Sequence, residues 1–173
     1  MKKLITSYIF AITAMVSMIF MAGCDLNQAQ IKTISNQAGL FSAVGWIAMD
    51  NPDTVTKENV KTIITLINDK AGSVSEGKTY TEVLYPLVLQ YVVKNVEPQY
   101  RPLTKAGSLA MLGGIDMLLA ANPDWVKDQS LVTGVVQSFC TGASNGLSLS
   151  ADDPVMQSAT RSAKMRAGLQ LHK

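Results

Sequence analysis

Apolar residues in this chain recur at intervals of three and four rather than two, and that period restricts the fold more than any other feature. Ile31, Ile34, Ala38, Phe41, Gly45 and Ala48 follow one another at this spacing, with Leu40, Val44 and Ile47 as a second stripe. Residues so spaced share one face of an α-helix, whereas a half-buried strand alternates. A first helix is therefore expected from Ile31 to about Asp50, buried on more than one side from Ala38 onward. Val60, Ile63, Ile64 and Ile67 form the apolar face of a second helix, with Lys57, Glu58, Lys61 and Asn68 elsewhere on it.

Prolines and glycines divide the periodic stretches. Asn51-Pro52-Asp53 ends the first, with Asn51 expected to cap the second helix and Pro52 to occupy its first position. Gly72 to Gly77 reads as a polar turn. Thr79-Tyr80-Thr81-Glu82 matches a capping box at the start of a third helix, whose apolar face is Leu84, Leu87, Val88 and Tyr91. Pro86 lies deep enough in it to predict a kink or a fresh start. After the break at Glu97 to Pro102, Leu103 to Ala121 forms a fourth helix, apolar or small nearly all round from Ala106 apart from Ser108 and Asp116. Ala106 to Ala121 falls short of the roughly 20 residues a membrane span needs. A central buried helix is expected, with Gly107, Gly113 and Gly114 marking close approaches of other helix backbones.

Asn122-Pro123-Asp124 repeats the first corner 71 positions on, and Val132, Val135, Val136 and Phe139 repeat the second-helix stripe 72 positions on. Two features at nearly one offset suggest two similar halves, 31–97 and 103–168. Each would be a buried helix, an Asn-Pro-Asp corner, a one-faced helix and a third helix after a Gly/Ser turn. The second such turn is expected from Thr141 to Ser150, with Asp153 capping the last helix and Pro154 at its first position. The expected fold is all-α, a compact bundle of about six helices, with coincidence as the alternative to duplication.

The first residues carry a different message. Met1-Lys2-Lys3 is basic, Leu4 to Gly23 has no charged side chain, and Ala22-Gly23 precedes Cys24. This is the order of a secretory signal peptide. Phe20-Met21-Ala22-Gly23-Cys24 resembles the lipobox of bacterial lipoproteins, in which the cysteine is diacylated and the peptide is cut just before it. The resemblance covers residues 1–24. It implies a signal peptide 1–23, a lipidated tether 24–30 and a single domain 31–173, held to membrane lipid through acylated Cys24 on the extracytoplasmic side. Asp25 resembles an inner-membrane retention signal and favours that membrane over the outer one. An uncleaved span is the alternative, since Leu4 to Gly23 is long enough to cross a bilayer.

From Cys24 onward there are thirteen basic and thirteen acidic residues, and no basic stripe of the kind nucleic acid requires. With Cys24 acylated, Cys140 stands alone and reads as a buried structural thiol. His172 is the one histidine, close to the terminus, so neither a Ser/His/Asp engine nor a usual zinc site can be assembled. Leu112-Gly113-Gly114-Ile115 lacks a P-loop lysine. No metal and no cofactor is expected. Asp116, in the most apolar helix, is the one candidate acid, either raised in pKa by burial or marking a narrow exposed stripe with Lys105, Ser108 and Leu112. Asp53, Asp124, Asp152 and Asp153 fit helix caps, and Trp46 and Trp125 fit packing of the two corners. Arg161, Lys164, Arg166 and Lys173 make a basic tail.

These features predict a non-enzymatic, lipid-anchored cell-envelope protein whose small helical domain binds another envelope protein. The alternative is a membrane-active or exclusion lipoprotein of the kind made by phages and mobile elements. An enzyme, resting on Asp116, comes third.

Overall fold

The computed structural model describes residues 26–74 and 77–171. These form an all-α bundle of six helices: α1 (Gln28–Asp50), α2 (Thr54–Asp69), α3 (Tyr80–Asn95), α4 (Arg101–Ala120), α5 (Gln129–Ser148) and α6 (Pro154–Leu171). Single 3-10 turns at Ala71–Ser73 and Trp125–Lys127 follow α2 and precede α5.

Local chemistry sets the helix ends. α1 begins three residues before Ile31, because Asn27 and Gln30 close a capping box, each side chain bonding the other's backbone amide at 2.9–3.0 Å. At the first corner Asn51 does not cap α2. It closes α1 in the left-handed region at φ 43°, which asparagine tolerates. Pro52 is buried outside either helix, and Asp53 caps α2 by accepting from the Thr56 amide at 2.6 Å. The second corner is built differently: Asn122 Nδ2 donates back to the Leu118 carbonyl, and Asp128 caps α5 by accepting from Ser130 and Leu131. Pro86 does not restart α3, which runs through it unbroken. Both Pro86 and Glu82, whose carbonyl the ring leaves unbonded, face solvent.

α1 is the centre of the bundle. Along it Lys32 meets Gly134, Asn36 meets Gly142 and Leu40 meets Gly146, so α1 and α5 run parallel. They touch backbone to backbone. A Cβ on Gly39 would fall on the Phe139 carbonyl, one on Gly142 on the Asn36 carbonyl, and one on Gly146 would lie 2.7 Å from the Leu40 carbonyl. This contact keeps Thr141–Ser148 helical where composition reads as a turn, since glycine's cost in a helix is outweighed by an approach only glycine allows.

α4 runs antiparallel to α1, with Trp46 over Gly107 and Ser42 beside Gly114. What fills the space at Gly107 and Gly114 is the side chains of Trp46 and Phe139, not another backbone, and Gly113 has nothing within 4 Å of an added Cβ. α2 is antiparallel to α5, Lys61 Nζ reaching Ser148 Oγ at 3.2 Å near one end and Gly72 facing Thr133 near the other. α3 packs on α4, and α6 on α1. Both stripes repeated in the sequence, Val60-Ile63-Ile64-Ile67 and Val132-Val135-Val136-Phe139, are buried.

Candidate functional site

Asp116 projects from α4 to the start of α3. Its Oδ1 accepts from the Tyr80 amide at 2.7 Å and its Oδ2 from the Thr81 amide at 3.0 Å. The Thr79–Glu82 box bonds the other two amides of that turn at 3.1 Å each, so the whole N-terminus of α3 is satisfied. The carboxylate is half-buried and holds one helix end against another. Tyr80, one residue into α3, is buried, and its hydroxyl donates to the Ala71 carbonyl. Burial, with smaller contributions from the Cys140 and Asp116 charges, pushes its phenol up to about 12. Burial likewise pushes the Cys140 thiol up to about 12, which keeps it protonated and a poor nucleophile.

A second polar group lies at the opposite end of the bundle. Trp46 Nε1, Thr56 Oγ1 and Thr104 Oγ1 are buried without hydrogen-bond partners. Trp46 and Val60 both meet Gly107; Thr56 is one turn before Val60 on α2, and Thr104 nearly one turn before Gly107 on the parallel α4. The register therefore puts both hydroxyls at the level of Asp50, one turn beyond Trp46 on α1. Burial raises the Asp50 carboxyl, opposed by the nearby Trp46 indole N–H, which falls short of full hydrogen-bond geometry. Three helix ends meet there around groups that no sequence motif marks.

The remaining residues singled out by sequence are not brought together. The Asn51-Pro52-Asp53 and Asn122-Pro123-Asp124 corners end antiparallel helices and lie at opposite ends of the bundle. Trp46 and Trp125 are both buried. Asp124 pairs with Lys127 at 2.7 Å on the exposed 3-10 turn. Ser108 and Leu112 do not extend an exposed stripe with Asp116; both are fully buried, and Ser108 donates to the Thr104 carbonyl at 2.7 Å. Cys24, Asp25 and His172 fall outside the described residues, as do the side chains of Lys164 and Arg166. Among the described residues no three His, Cys, Asp or Glu side chains cluster as a metal site would require.

α4 carries an uncharged row on its outer side. Ala106, Leu109, Gly113, Met117 and Ala120 follow at intervals of three and four on its outer side, turned from α1 and α2 and bordered by the edge where Asp116 meets α3. Ala106, Leu109 and Ala120 are exposed, Leu109 by 43 %, and Gly113 stands open. No side chain in this row carries a charge or a hydrogen-bonding group. The helix is long and apolar enough to cross a membrane, yet only half of it is buried, so the expected central, fully enclosed helix is instead one-sided.

No family model, curated protein or solved structure matches the chain.

Proposed function

We propose that this is a lipid-anchored cell-envelope protein whose helical bundle meets a protein partner through the outer face of α4. The carrying observation is that face: an uncharged row from Ala106 to Ala120, open to solvent on a helix otherwise committed to the core. Contiguous apolar surface of this kind marks interaction sites more often than chance exposure. The anchor is supported by the order of residues 1–24, basic, then uncharged, then Ala22-Gly23-Cys24. Acyl chains on Cys24 would hold the bundle close to the bilayer, because only a few residues separate it from α1. Asp25 favours the inner membrane. Palmitate labelling of the wild type and Cys24→Ser, with membranes separated by density, tests the anchor. Label should be present in the first and absent in the second; two unlabelled, membrane-bound proteins would reassign residues 4–23 to a span.

The apolar length of α4 also favours a second reading, a membrane-active or exclusion lipoprotein in which α4 leaves the bundle for the bilayer. Leakage of dye from vesicles, abolished by Leu109→Glu, would support it. Intact vesicles at saturating protein would remove it.

A further inference from the structure

We propose that the end of the bundle where α1 finishes and α2 and α4 begin holds one buried structural water, bound between the Trp46 indole, the Thr56 and Thr104 hydroxyls and the Asp50 carboxylate. The site depends on neither the lipid anchor nor the outer face of α4. Trp46, Thr56 and Thr104 are all closed to solvent, yet Trp46 Nε1, Thr56 Oγ1 and Thr104 Oγ1 bond to nothing in the chain. Burying a polar atom without a partner is costly, and native interiors pair such atoms with protein or with ordered water.

The three atoms converge. A Cβ on Gly107 would lie 2.8 Å from Trp46 Cε2, the carbon bonded to Nε1, and 2.9 Å from Val60 Cγ2. Val60 follows Thr56 by four residues on α2, and Gly107 follows Thr104 by three on the parallel α4. Both hydroxyls therefore lie about one turn from the indole, on the same side of it. Trp46 Nε1 points to that level too, because it approaches the carboxylate of Asp50, one turn further along α1.

The donor set selects the ligand. An indole only donates, a carboxylate only accepts, and a hydroxyl does both. A cation has no lone pair for the indole proton, and an anion would meet the Asp50 carboxylate. The close packing of Trp46 and Val60 on Gly107 admits nothing as large as an organic molecule beside it. Water alone satisfies all four groups, accepting from Trp46 Nε1 and one threonine while donating to the other threonine and to Asp50. Asp50 is half-buried, so the carboxylate forms the solvent end of this set of bonds. The water thereby ties the end of α1 to the starts of α2 and α4, and the two hydroxyls act as a pair.

The experiment is a crystal structure of the full chain in detergent, refined with ordered solvent, together with urea denaturation of Thr56→Val, Thr104→Val and the double variant. One solvent peak should stand within about 3.2 Å of Trp46 Nε1 and of both Oγ1 atoms. Each single variant takes one bond from the water and leaves the remaining groups short of a partner, so each should lower the urea midpoint. The double variant expels the water and should lie closer to the wild type than either single one. The proposal is overturned by a site without that peak, or by one in which either hydroxyl has turned onto a helix carbonyl. Single-variant shifts that simply add in the double variant overturn it as well.

Discussion

α4 and α5 are both twenty-residue helices with three glycines each, and the bundle uses those glycines in opposite ways. On α5, Gly142 and Gly146 lie against the backbone of α1, so their missing side chains are what lets the two helices touch. On α4, Gly107 and Gly114 receive the Trp46 and Phe139 rings, and Gly113 faces open space. α5 thus turns Gly142 and Gly146 to the inside of the molecule, whereas α4 leaves Gly113 open to the outside. A glycine's role here is set by its neighbour and not by its own helix.

The largest effect that would break this contrast is at the crossing. Gly142→Ala places a Cβ on the Asn36 carbonyl, and Gly39→Ala places one on the Phe139 carbonyl. Each should cost about 3 kcal/mol or more in urea denaturation, because backbone rather than a flexible side chain must yield. Asp116→Ala strips two amides at the start of α3 of their acceptor and should cost about 2 kcal/mol by the same measurement. Asp116→Asn, which keeps one acceptor oxygen, should cost less.

Alkaline titration sharpens the picture of the interior. The Cys140 and Tyr80 groups stay protonated in the fold to about 12, against ordinary values of 9.0 and 10.0. Between those limits the unfolded chain has released protons that the native chain still holds, so stability should be full below pH 9.0 and fall as pH rises towards about 12. Cys140→Ala should make that decline shallower, whatever it does to stability at neutral pH. Smaller still, Thr56→Val with Thr104→Val should leave stability within about 1 kcal/mol of the wild type or raise it, because neither hydroxyl has a protein partner to lose. Gly113→Ala should stabilise by about 0.5 to 1 kcal/mol, the helix-propensity gain with no clash to offset it.

Sequence period was enough to anticipate six helices, because Val60-Ile63-Ile64-Ile67 and its counterpart on α5 carry their burial in their spacing. The capping box at Thr79–Glu82 and the Asp153-Pro154 start were legible for the same local reason. What spacing could not show is which partner each residue meets. Thr141–Ser148 has the composition of a turn, and only the backbone of α1, about a hundred residues away in the chain, makes it a helix. Two Asn-Pro-Asp tripeptides look alike, yet Asn51 turns left-handed while Asn122 folds back onto Leu118. Asp116 stands out in its apolar helix, but its bonds to Tyr80 and Thr81 span 36 and 35 positions, beyond any local motif. The open side of α4 was hidden for the converse reason: an apolar helix gives no sign in its own sequence of which face its neighbours leave bare.

The α1–α5 crossing holds the bundle while the outer side of α4 is free, and amide hydrogen exchange on the full chain measures this most directly. The slowest amides should be those of α1 and α5 in the turns around Gly39 and Gly142, with α3 and α6, each docked on a single helix, exchanging first. Early exchange in those turns, with α3 and α4 outlasting them, would contradict it.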